Sequence, residues 1–68
     1  MIGMAAGITY RTECVVAWWF HPKDHDGPAG LGIELESGRQ IIVRDEKGSI
    51  PGPGELQETL YRLHRDRD

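Results

Sequence analysis

The run Cys14–Phe20, Cys-Val-Val-Ala-Trp-Trp-Phe, is the most apolar stretch of the chain and holds three of its five aromatic residues. Any fold open to this sequence has to bury part of it. The residues leading into the run alternate. Ile8, Tyr10, Thr12, Cys14, Val16, Trp18 and Phe20 fall on one side; Thr9, Arg11, Glu13, Val15, Ala17 and Trp19 fall on the other. A period of two, rich in β-branched and aromatic types, predicts a strand over 8–20. Fully extended, that segment would span roughly 43 Å, longer than ordinary strands, so a bend, a bulge or an end that outruns its partners is expected.

The segment His21–Gly30 reads as a loop. Pro22 stops the strand, Asp26-Gly27 favours a turn, and Pro28 and Gly30 punctuate the exit. Residues 31–36 and 39–45 then read as a hairpin. A two-residue loop at Ser37-Gly38 would set apolar side chains against polar ones. A three-residue loop, Glu36-Ser37-Gly38 with Gly38 left-handed, pairs Leu35 with Arg39, Ile33 with Ile41 and Leu31 with Val43. The second register joins apolar to apolar and puts glycine where the bulge of such a loop needs it. After a turn at Asp45–Gly48 and a breaker-rich link through Pro51 and Pro53, residues 55–65 predict a helix with Leu56, Leu60 and Leu63 as its apolar stripe. Glu55 and Glu58 near its start and Arg62 and Arg65 near its end suit the helix dipole. The tail Asp66-Arg67-Asp68 is expected to fray, and residues 1–7, rich in Gly and Ala, to be loosely held.

These elements define a small single-domain α+β fold: a three-stranded antiparallel sheet, with a long first strand followed by a hairpin, and one C-terminal helix on one face (β-β-β-α). The leucine stripe is expected to cover Tyr10, Cys14, Val16, Trp18, Phe20, Ile33, Leu35 and Ile41. Val15, Ala17, Trp19 and Ile42 are left on the opposite face.

A chain of 68 residues has a thin stability margin. Cys14, its single cysteine, precludes an intrachain disulfide and fits a reducing cytoplasm. Residues 1–6 lack the basic leader of a signal peptide, and no run reaches the ~20 apolar residues of a membrane span. The net charge of −3 opposes non-specific nucleic-acid binding. A metal or a second chain is left as the source of added stability.

No motif specifies a chemistry. His21, Asp24, His25 and Asp26 are the one cluster of metal-ligand types, but their spacing matches no standard site, and a polar turn accounts for them. Cys14 lies in mid-strand on the expected core side, where a thiol is an inert small hydrophobe. Gly30-Leu31-Gly32 lacks the third glycine and the following helix of a dinucleotide loop. Acidic residues in the turns are ordinary solvated surface. The reading is a non-enzymatic, cofactor-free cytoplasmic module that binds another protein, or itself as a homodimer. Its contact surface is expected to be Trp19, Ala17, Val15 and Ile42, with Trp19 as anchor. Two alternatives come from other classes: a single-stranded nucleic-acid binder using Trp19 with Arg62, Arg65 and Arg67, and a metal-stabilised module built on His21–Asp26.

Overall fold

The computed structural model describes residues 1–67; Asp68 and the side chain of Arg67 lie outside the described residues. The chain forms β1 (Ile2–Ala5), β2 (Ile8–Arg11), a 3-10 turn (Thr12–Cys14), β3 (Val15–His21), β4 (Gly30–Leu35), β5 (Gln40–Arg44) and α1 (Pro53–Arg67). It is a small α+β fold with antiparallel sheets and one C-terminal helix. Strands β3, β4 and β5 make a three-stranded sheet in that order, and β1 and β2 make a separate two-stranded ribbon. No helix of the described residues is long and apolar enough to cross a membrane.

The hairpin β4–β5 has the register that apolar matching dictates. Leu31 lies opposite Val43 and Ile33 opposite Ile41. The Leu35 N–H donates to the Arg39 carbonyl at 2.9 Å, and Gly38 takes φ +89°. Helix α1 starts at Pro53, where the missing N–H costs nothing, and the Leu56 N–H donates to the Gly52 carbonyl at 2.9 Å. Leu56 and Leu60 are fully buried and Leu63 is half-buried.

Helix α1 runs from Pro53 through Asp66 and Arg67, beyond the 55–65 expected and into the tail expected to fray, of which Asp68 lies outside the described residues. The strands depart from the sequence reading in two places. Residues 1–7, expected to be loose, form β1 and the turn into β2. Ala6 (φ +52°) and Gly7 (φ +74°) are both left-handed, the geometry of a two-residue hairpin loop with the twist of its strands. Ala-Gly is not the usual pair for that turn, which is why composition alone suggested disorder. Gly3 lets β1 lie against the Tyr10 ring: a Cβ there would meet the ring at 2.5 Å. Met4 also pairs with Ile50, through N–H donation in both directions at 2.7 and 3.0 Å.

The strand expected over 8–20 is broken at Thr12–Cys14. Buried Thr12 accounts for the break, since both its N–H (3.0 Å) and its hydroxyl (3.1 Å) donate to the Met1 carbonyl. The register then slips between Val15 and Ala17, leaving Val16 as the extra residue of a bulge. That slip exchanges the two faces for Val15 and Val16. Val15 is 1% exposed and Val16 48% exposed. The core comprises Ala5, Tyr10, Val15, Leu31, Ile33, Ile41, Val43, Leu56 and Leu60, with Ile8, Trp18 and Leu35 packed against it.

Candidate interaction surface

The bulge sorts the four expected surface residues. Val15 does not belong to the surface: it is in the core, because the register shift turns it inward. Ala17, Trp19 and Ile42 do lie on the sheet face away from α1. Cross-strand partners share a face, so this back face is built in three rows. One is Ala17, Glu34 and Gln40; the next is Trp19, Gly32 and Ile42; the last is His21, Gly30 and Arg44. Trp19 and Ile42 thus share the middle row across Gly32.

The middle row is partly closed on itself. The Trp19 indole lies flat over the Gly32 backbone, where an added Cβ would meet Cε2 at 2.2 Å and Nε1 at 2.3 Å. Trp19 and Ile42 are both half-buried. The flanking rows are polar. Gln40 Nε2 donates to Glu34 Oε1 at 3.2 Å. On the other side the loop after β3 folds back and ties Asp24 to both ends of the last row. Arg44 Nη1 lies 3.1 Å from Asp24 Oδ1, Arg44 Nη2 donates to Asp24 Oδ2 at 3.3 Å, and His21 Nε2 is 3.1 Å from Oδ2. Arg44 Nη1 also donates to the Pro28 carbonyl at 3.0 Å. The Arg44 guanidinium first, and His21 second, hold the Asp24 carboxyl down at about 2, against an ordinary 3.8. His21 and Asp24 of the proposed metal cluster do come together, but the third member is a cation. His25 and Asp26 are exposed beside it, and no group of three metal-ligand side chains occurs among the described residues.

The larger apolar exposure lies elsewhere, on the α1 side of the free edge. Among the described residues only β4 pairs with β3, so β3 is an edge strand, and its residues Val15–Phe20 carry no charge. Phe20, expected in the core, is 73% exposed. Its neighbour Trp18 packs edge-on against α1, with ring centroids 5.8 Å from Tyr61 and 4.9 Å from His64. Helix α1 stands on β4 and on the 3-10 turn, and this leaves an open groove between its near side and β3. The groove has a volume of about 560 Å³ and is lined by Trp18, Phe20, Ala29, Leu31, Pro53 and Gln57, among others. Gly54 and Gln57 connect it to a second open groove of about 660 Å³ along α1, past Glu58, Tyr61, Arg62 and Arg65.

Phe20, Val16 and Tyr61 are the surface residues that alternation missed. One signal for them was present: the first strand of a strand-plus-hairpin sheet is an edge strand unless the chain returns to it. Cys14, at the end of the 3-10 turn, is half-buried. No protein family, curated protein or solved structure matches the chain.

Proposed function

We propose that the chain is a non-catalytic protein-binding module that docks an extended segment of another protein chain along β3 and into the groove beside it. The observation that carries this reading is the uncharged β3 edge with Phe20 73% exposed at its rim. Edge strands are normally guarded by charges, proline or a covering element, because their free N–H and C=O groups invite another strand. Here the first such residues, His21 and Pro22, stand only at the strand's end.

An added strand satisfies those backbone groups and sets alternate side chains to either face. On the α1 side they fill the groove between Phe20, Trp18 and Pro53. On the back they pass Ala17 and Trp19, so these two expected residues stay in the contact surface. Ile42, on β5, stands two strands away, and Val15 supports β3 from within.

The test is selection of displayed extended peptides against the wild-type protein, with Phe20→Lys as counter-selection. The substitution sits on an exposed side chain, so the urea midpoint should hold to within about 0.5 kcal/mol. Peptides with alternating apolar residues should bind, slow amide exchange across Ala17–His21, and fail on Phe20→Lys. Binders that ignore the substitution, or none at all, would overturn the reading.

A further inference from the structure

We infer that the segment docked on β3 is β3 of a second copy of this chain, antiparallel and centred on Trp18, so that two three-stranded sheets join into one. The inference rests on the docking reading above and names its occupant.

The strand is complementary to itself in that register. Trp18 is the midpoint of Val15–His21. A two-fold axis there sets Trp18 beside Trp18 of the second copy, Ala17 beside Trp19, and Val16 beside Phe20. Small Ala17 meets large Trp19 on the back face, exposed Phe20 is drawn into the seam on the α1 side, and no like charges face across it. Pro22 and the bulge at Val16 limit the pairing at either end.

The layers also match. A two-fold axis perpendicular to the sheet keeps both helices on one side. Each α1 lies over β4, and the two β4 strands would be three strand spacings apart, about 14 Å. A helix with its side chains is about 10–12 Å across, so facing side chains from the two helices close the gap above Trp18 and Phe20.

Charge favours this occupant. The near side of α1 carries Glu58 in its N-terminal half and Arg65 in its C-terminal half. Trp18 lies against Tyr61 and His64, so the axis crosses the helices at about that level. The helices run antiparallel across it, which brings Glu58 of each copy towards Arg65 of the other and opposes the two dipoles. An interface of standard size takes about 800 Å² from each partner, roughly a sixth of the 4607 Å² surface of this chain. The β3 edge and the two grooves supply a continuous patch for it.

The experiment is sedimentation equilibrium of the full chain from about 5 to about 500 µM, with urea midpoints recorded for every variant. The expected species is a dimer of the 7.6 kDa chain. Phe20→Lys should weaken dimerisation by more than about tenfold. Glu58→Arg should weaken it by about two- to fivefold, and Glu58→Arg combined with Arg65→Glu should recover most of that loss. A wild-type monomer throughout overturns the inference. If that monomer still binds apolar peptides on β3, the docking reading stands; if it binds none, both fall. A dimer indifferent to Phe20→Lys places the interface elsewhere and also overturns the inference.

Discussion

Replacing Gly32 by alanine is the sharpest probe of the back face, because one methyl group has to compete with a tryptophan ring. An added Cβ would stand 2.2, 2.3 and 2.5 Å from Cε2, Nε1 and Cζ2 of Trp19. Carbon atoms rest at about 3.5–4.0 Å, so the ring must retreat by more than an ångström. The indole is rigid and swings off Gly32 as a unit. Full burial of a tryptophan covers about 150–250 Å², which at about 25 cal/mol per Å² is about 4–6 kcal/mol. Trp19 is half-buried, so losing its seat costs about 2–3 kcal/mol. Alanine returns about 0.5–1 kcal/mol by restricting the unfolded chain. The net loss is about 1–2.5 kcal/mol, a large part of the ~3–5 kcal/mol that a core of this size supplies.

The cause is separable from a general backbone effect. In a Trp19→Ala background the collision is gone, and the same Gly32→Ala substitution should stabilise by about 0.5–1 kcal/mol. Urea unfolding of the four proteins, followed by far-ultraviolet circular dichroism, reads both numbers. An equal cost in the two backgrounds, or no cost in either, would refute the assignment of Trp19 to the surface of Gly32.

Four further outcomes are expected. Asp24→Asn should lower the urea midpoint at neutral pH. The folded carboxyl titrates at about 2 instead of 3.8, so its contribution is complete above about pH 4 and fades as pH falls towards 2; the wild-type and variant midpoints should converge there. Ala6→Asn should raise stability by about 0.5–1 kcal/mol in thermal melts, since asparagine tolerates the left-handed φ of +52° better than alanine does. Tyr10→Phe should be neutral or stabilising by up to about 1 kcal/mol, because the buried Tyr10 hydroxyl has no hydrogen-bond partner among the described residues and burial pushes its pKa up. Leu60→Asp should abolish the cooperative melt, since it puts a carboxylate at a fully buried position against the sheet.

What was legible in the chain depended on how many residues each signal averaged over. The β4–β5 register rests on two apolar pairs and a glycine, all of which slip together if the loop length changes, so one arrangement won clearly. The leucine stripe of α1 is redundant in the same way. The β1–β2 ribbon was not legible, because its turn places one alanine in an unfavourable conformation, and the contacts that hold the ribbon, the burial of Tyr10 and Ala5 and the pairing of Met4 with Ile50, are tertiary. The interaction surface was half legible for a related reason. Alternation carries a side-chain assignment forward only while the pairing is unbroken, and Thr12 breaks it by turning both its donors to the Met1 carbonyl. Downstream of the bulge the even residues Trp18 and Phe20 still face α1 and the odd residues Ala17 and Trp19 still face away. Only Val15 and Val16 change places. The error therefore stayed local for orientation but not for function. Facing the helix was equated with being covered by it, whereas α1 stands over β4 and leaves the edge strand only partly sheltered. Trp18 reaches Tyr61 and His64, whereas Phe20, two residues further along, is left 73% exposed. The strand's pattern fixes which side a residue takes; the helix's position across the sheet determines whether that side is core or contact surface, and in this chain that position is set by Leu56 and Leu60 seating over the middle strand.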